Sequence, residues 1–351
     1  MRERVAAYQW ESLLFAILVC VVIVNIAISP YYLGTSNFGN MFHLSIEKVI
    51  IAVVMAFVII NGEIDLSVAS VMGFSAAVVA AMHDGGAPFW LAIAVSMLAG
   101  AGAGLLQGMC VAFLGLPSLV VTLAGLIGWR GATRILVEDR SIGGFPGWFN
   151  DLGQDPLFGR IYLTTIVFVV LIVLAGVLLH KTAFGRGVFV IGNNPEVARF
   201  SGLDVRRTKL LLLTASGFVA GVAGIFYAAR LGSVRGDLAL GFELDIITMV
   251  LLGGVSIFGG SGTIVGVGLS ILIVLNLRNG LGLANVESNT QTGIIGAILI
   301  GSVLLPNLLG RFAGHTRRTV ARRRSPPDAT TGREGGDVPL PQPDPSVHET
   351  Q

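Results

Sequence analysis

Gly192-Asn193-Asn194-Pro195-Glu196-Val197-Ala198-Arg199-Phe200-Ser201-Gly202 is a polar interruption between long apolar runs. Nearly all of the chain from Leu13 to Leu309 has the character of membrane helix, yet 181–209 carries Lys181, Arg186, Arg199, Arg206, Arg207 and Lys209. A basic turn-and-helix insert inside such a bundle has to sit in water, and the positive-inside bias puts it on the cytoplasmic side. Pro195 suits the first turn of a short helix, with Asn194 as its cap. Glu196 would then sit at the positive end of the helix dipole, and Gly202 would end the helix at positive φ. Read by itself, the segment fits an ordinary amphipathic connector as well as a helix held by a soluble partner.

Composition extends that reading to the whole chain. Of 351 residues, 53% are hydrophobic and 13% charged, where a soluble domain carries about 25% charged residues. Mean hydropathy is +0.79. Apolar runs of about 20 residues then specify an all-α, polytopic membrane helical bundle. The segments fall at 12–29, 41–60, 66–82, 89–114, 118–137, 161–180, 210–230, 244–259, 263–278 and 291–309. Ten crossings put both termini and loop 181–209 on the cytoplasmic side, where Arg2, Arg4 and the cations from Arg311 to Arg324 also fall. The first run, 13–29, is longer than the about 7–15 residues of a signal core and reads as an uncleaved helix. The breaks at 61–66 and 259–263 can be loops or interruptions within the membrane. The membrane-embedded region is 1–310; residues 311–351, basic and then rich in Pro and Gly, read as a disordered cytoplasmic tail.

Several kinds of chemistry are excluded or disfavoured. Lys48, Lys181 and Lys209 are the only lysines and none follows a glycine, so the chain has no phosphate-cradling GxxxxGK[ST] loop. There is no HExxH and no CxxC, and the five histidines are scattered, so no catalytic or metal site is expected. Cys20 and Cys110 lie in apolar runs and read as small buried hydrophobes. The predicted helices are almost free of internal charge, which weighs against ion-coupled transport. Glu47 and Lys48, and Arg130 with Arg134, sit near helix ends, where snorkelling or a pore mouth accounts for them equally.

Glycine carries much of the remaining information. Gly62 breaks the second apolar segment, and Asp65 can cap the third by accepting from the amides of Ser67 or Val68. Hydroxyls and amides at such a break can line a polar pathway. Gly253–Gly262 reads as a tight reversal of closely packed backbone. The spacings Gly100-x-x-x-Gly104-x-x-x-Gly108, Gly217-x-x-x-Gly221 and Gly262-x-x-x-Gly266 supply flat faces for helix packing. Glu63-Ile64-Asp65-Leu66 recurs as Glu243-Leu244-Asp245-Ile246. The ten-helix count puts the two copies at opposite membrane faces, as inverted repeats would, although four residues can also match by chance.

Four stretches in order carry a family resemblance: Gly62 to Val68; Pro117 to Leu123 with Arg130-Gly131; Phe184-Gly185-Arg186 through Gly202; and Glu243-Leu244-Asp245 followed by Gly253-Gly254 and Gly259 to Gly262. Together they resemble the permease subunit of bacterial ABC importers for simple sugars, the ribose, xylose and arabinose group with its rhamnose and autoinducer-2 relatives. The resemblance implies a pathway formed with a second permease subunit in the bacterial cytoplasmic membrane. An extracytoplasmic binding protein would deliver the sugar. A cytoplasmic ATPase would drive transport, using Mg-ATP that this chain does not itself bind. Asn194, Pro195, Glu196, Ala198 and Gly202 would couple to that ATPase. Glu63, Asp65, Ser67, Glu243, Asp245, Gly253 and Gly254 would belong to the translocation pathway or its gates. Membrane lipid is an expected partner and nucleic acid is not. Val197 departs from the family's usual Ala, and Glu63 replaces the Gly of ribose-type members, which resembles the rhamnose and autoinducer branch. The same architecture carrying a branched-chain amino acid or nucleoside is the nearest alternative; an ion-coupled carrier or a membrane enzyme is more distant.

Overall fold

The computed structural model describes residues 2–138, 140–158, 161–298 and 300–301. Its helices are α1 Arg2–Ile28, α2 Thr35–His43, α3 Ile46–Ile60, α4 Val68–Asp84, α5 Phe89–Ala112, α6 Ser118–Val137, α7 Gly147–Gln154, α8 Leu163–Lys181, α9 Ala183–Asn193, α10 Pro195–Phe200, α11 Val205–Leu231, α12 Phe242–Leu252 and α13 Ile264–Leu283. Helix resumes over 288–298. Two short antiparallel ladders, Ile142–Gly143 with Ser233–Val234 and Pro156–Phe158 with Ile161–Tyr162, are the strands among the described residues. The helices lie in one compact unit, Met1–Leu305. The predicted tail 311–351 and its basic cluster lie outside the described residues, as does the end of the last apolar segment.

Every predicted apolar segment carries helix, but the segments are not ten equal crossings. Five helices (α1 from Trp10, α5, α6, α11 and α13) are long and apolar enough to span a membrane. Two pairs bent by 55° (α2–α3) and 71° (α8–α9) raise the number to seven. The 11 residues of α12 reach only about 16 Å, half of a hydrocarbon core of about 30 Å. Gly253 and Gly254 end α12 in a turn, so the predicted segment 244–259 is a half-span followed by a reversal.

α3 is the centre of the bundle: every residue in it except Val54 is buried. An all-round apolar sequence (Val49-Ile50-Ile51-Ala52-Val53) predicts such a helix, because no face of it needs water. α1 does the opposite, turning Phe15, Ile23 and Ile28 outward. Cys20 is exposed on α1 and Cys110 is half-buried, both free. The expectation of two buried cysteines therefore fails for Cys20, since an apolar residue in a membrane helix can face lipid instead of the core.

The glycine spacings serve close packing as predicted, and the structure shows what they pack against. Gly100 and Gly104 of α5 cross Gly217 and Gly221 of α11. A Cβ on Gly104 would run into the Leu213 carbonyl oxygen and lie 3.0 Å from Gly217 Cα. Gly266 is pressed in the same way against the Gly253 carbonyl. Gly104→Val is therefore expected to lower thermal stability in detergent by about 1–3 kcal/mol or more. Gly102→Val on the same helix, where a Cβ meets nothing within 4 Å, should leave it nearly unchanged.

Candidate functional site

α10 has the local structure its residues call for. Asn194 Oδ1 accepts from Glu196 N at 2.9 Å and Val197 N at 3.1 Å, Pro195 occupies the first turn, and Gly202 follows at φ +80°. Ala198 is fully buried against Ile191 and Val205 and docks the helix. Glu196, Val197 and Phe200 are left outside, Phe200 being 93% exposed. Loop 181–209 is thus two helices, α9 and α10, with the shorter one presented outward.

What α10 is tied to could not be read from the sequence. The end of α9 meets two other segments in a junction of four glycines. A Cβ on Gly192 would collide with the Ile60 carbonyl oxygen and lie 2.7 Å from Gly260 N. A Cβ on Gly259 would lie 2.8 Å from both Gly192 O and Gly62 Cα. Gly260 N–H donates to the Ile60 carbonyl at 2.8 Å, closing the contact between the 253–262 reversal and the end of α3. Gly62, Gly259 and Gly260 all have positive φ, which other residues adopt only with strain.

Beyond Gly62 the chain is held by side chains from three helices. Asp65 Oδ1 accepts from Ser67 N at 2.9 Å and Ser67 Oγ at 2.6 Å, and its Oδ2 from Ser216 Oγ of α11 at 2.8 Å. The expected bond from the Ser67 amide is present, but it closes a turn ahead of α4 and does not cap it: the N-cap is Ser67, with no side-chain cap bond. Ser67 Oγ also lies 2.8 Å from the Gln107 amide. A hydroxyl has one proton to give, so when Asp65 takes it Gln107 must face Ser67 with its NH₂. Ile64 is gripped by its backbone: its N–H donates to Ser118 Oγ at 3.2 Å, and its carbonyl shares the Thr122 Oγ1 proton, at 3.0 Å, with the Ser118 carbonyl at 2.8 Å. Ser118 and Thr122 are four apart on α6 and so share a face. Glu63 pairs with Lys209 near the start of α11.

The other motif copy lies at the far end of α3, about 20 Å away along the helix. Glu243 and Asp245 fall in the first turn of α12, where a carboxylate complements the helix dipole. Asp245 accepts from Lys48 Nζ at 2.8 Å and from Arg278 Nη2 at 2.7 Å to each oxygen. Arg130 stands 3.6 Å from Glu243. Glu47, fully buried, accepts from Arg230 Nε at 2.7 Å. Lys48 Nζ also lies over the Phe242 ring and the Arg230 guanidinium over Tyr227.

This cluster corrects the picture of helices free of internal charge. Glu47 and Lys48 do not snorkel; they are buried because α3 is, and each is matched by an opposite charge on a neighbouring helix. Buried carboxylates are therefore present and their absence no longer weighs against ion coupling, although each here already has cationic or hydroxyl partners.

The predicted site residues therefore form two groups at the two ends of α3. The placement of the motif copies at opposite ends agrees with inverted repeats, while their conformations differ: the first is a turn, the second a helix start. Gly253 and Gly254 belong to packing, against Gly266-Val267 and the Trp10 ring respectively. Ser216, Arg230, Arg278 and Gln107 were not picked out from the sequence, Lys209 was read only as one of the loop's cations, and Ser118 and Thr122 had no role of their own. Arg230 and Arg278 each sit at the end of an apolar run, and that placement was the available signal. α11 runs antiparallel to α3 and engages the first half at three levels: Lys209 with Glu63, Ser216 with Asp65, and Arg230 with Glu47.

Comparison with known proteins agrees with this architecture. The family described as the permease component of the branched-chain amino acid transport system matches residues 37–303. The autoinducer 2 import system permease protein LsrD of Escherichia coli (strain K12) is 33% identical over 330 residues, covering 91% of this chain and 98% of the relative. LsrD of Photorhabdus laumondii subsp. laumondii is 33% identical over 307 residues, with 85% and 91% covered. No solved structure matches. With the match spanning the bundle and both motif groups, the chain belongs to this family of multi-pass membrane permease components.

Proposed function

We propose that the chain is the membrane-spanning subunit of an ATP-driven importer in the bacterial cytoplasmic membrane, carrying a small hydroxylated solute of the sugar or autoinducer-2 class. The observation that carries the reading is the exposed, capped α10, joined to α3 through backbone-to-backbone glycine contacts. Such a helix can be gripped from outside and has no slack between itself and the bundle. Identity to an autoinducer 2 permease over 98% of that relative's length supports the cargo class.

On this reading α10 faces the cytoplasm. A separate ATPase holds it through the surface around Glu196, an extracytoplasmic binding protein delivers cargo at the Asp245 end, and a second permease subunit completes the pathway. The ATPase binds Mg-ATP; this chain contributes no nucleotide site. The family's description keeps a branched-chain amino acid as the second cargo reading.

Purification of the detergent-solubilised chain from its host should bring down an ATPase and an exported binding protein, whose ligand names the cargo. Reconstituted uptake of autoinducer 2 should be competed by a pentose and not by leucine; the reverse would favour the amino-acid reading. Glu196→Ala with Gly202→Ala should keep near-normal stability, since Glu196 is exposed and a Cβ on Gly202 meets nothing within 4 Å. The strain of alanine at positive φ costs about 1–2 kcal/mol. Uptake should fall at least about tenfold, equivalent to about 1.4 kcal/mol of coupling, while ATP hydrolysis continues. Wild-type uptake by this variant would remove α10 as the coupling element.

A further inference from the structure

At the α10 end, an open cleft of about 560 Å³ lies between the end of α5 and the start of α11. One wall is apolar and outward-facing: Phe113 is 54% and Leu114 71% exposed. The other is basic, formed by Arg199 of α10 with Arg206 and Lys209 of α11. Glu63 is the one carboxylate lining the cleft, and it is matched by Lys209. Arg199 and Arg206 are exposed and have no ion pair among the described residues. Three cations against one carboxylate leave the cleft with an excess of two positive charges.

The two walls need different things from a ligand. Unpaired guanidiniums favour a phosphate, which they can grip with paired N–H donors. An exposed Phe and Leu beside them favour hydrocarbon. The cleft stands where the apolar α5 gives way to a basic segment, which is the depth of the lipid headgroups at the membrane–water boundary. We propose that it binds an anionic phospholipid, with the phosphate against Arg199 and Arg206 and the upper acyl chain along Phe113 and Leu114. A free phosphate would use the basic wall and leave the apolar one in water. Because Arg199 is on α10, a bound lipid braces that helix against α5, and lipid composition then tunes how firmly α10 is held.

The test is native mass spectrometry of the purified full-length chain with phosphatidylglycerol and phosphatidylcholine of identical acyl chains. The wild type should retain phosphatidylglycerol preferentially. At about 1 kcal/mol per cation near a headgroup, R199Q/R206Q should bind it about 30-fold more weakly and R206Q alone about fivefold, with phosphatidylcholine retention unchanged. Equal retention of the two lipids by the wild type overturns the proposal. Undiminished phosphatidylglycerol binding by R199Q/R206Q overturns it as well. Displacement of the lipid by millimolar inorganic phosphate would replace it with a free-anion site. If the variant loses ATPase binding while keeping its lipid, the arginines serve that protein instead. The readout does not pass through transport, so it stands apart from the importer reading.

Discussion

Asp245→Ala is expected to lower the unfolding temperature of the purified protein by on the order of 10 °C. The carboxylate takes three hydrogen bonds from Lys48 and Arg278. Lys48 is only 6% exposed, so its charge cannot turn to water when the partner is removed. Leaving a buried charge unpaired costs about 3–5 kcal/mol, whereas replacing a whole buried ion cluster by apolar groups is often neutral. The effect on unfolding temperature follows from about 2–4 °C per kcal/mol for chains of somewhat smaller size. Lys48→Met/Asp245→Leu/Arg278→Met should therefore be more stable than Asp245→Ala, despite carrying more substitutions. A triple variant less stable than the single would mean that the charges hold the far end together in a way apolar packing cannot replace. Uptake by the stable triple variant tests a separate question: retained transport would make the cluster purely structural.

Gly192→Ala is expected to abolish uptake while ATP hydrolysis by the assembled complex persists. One methyl group there meets the Ile60 carbonyl oxygen and Gly260 N, both main-chain atoms that cannot rotate away. To fit it, α9 must move off the end of α3, which opens the junction, or the 253–262 reversal must shift, which breaks the Gly260-to-Ile60 hydrogen bond. α10 itself keeps its Asn194 cap and its Ala198 anchor, so an external partner can still grip it. Normal uptake by Gly192→Ala would show that motion of α10 reaches the bundle by another route, with the Glu63–Lys209 pair the next place to test.

Sequence reasoning placed these features unevenly, and the pattern has a cause. The helices, the break at Gly62, the 253–262 reversal and the form of α10 were all legible, because each depends on residues within a few positions of one another. Asn194 caps amides two and three residues on, and an apolar run of about 20 residues is helical in lipid whatever lies beside it. The packing role of Gly104 and Gly217 was legible as a type of contact, without the partner being named.

The residues that act across the fold were misread. Glu47 and Lys48 at a helix end read equally as snorkelling or pore-mouth side chains until α3 proves to be buried nearly from end to end. Ser118 and Thr122 looked like part of a family motif. Their use, fastening both backbone groups of Ile64, requires α6 to lie against the 61–67 break. The count of crossings also depended on tertiary structure, since the apolar run 244–259 holds a helix of only 11 residues that ends at Gly253.

By itself, then, the sequence determined a helical membrane chain with a basic, capped helix presented to water and without a GxxxxGK[ST] loop. Those properties follow from hydrophobicity, capping and the absence of a motif, all of which are local. Only the tertiary structure decided that Gly62, Gly192, Gly259 and Gly260 meet at one end of α3, and that Glu47, Lys48, Arg230, Asp245 and Arg278 meet at the other. Charge pairing and backbone contact depend on distance in space. Lys48 and Asp245, for one, lie 197 residues apart in the chain, so no window along the sequence contains both.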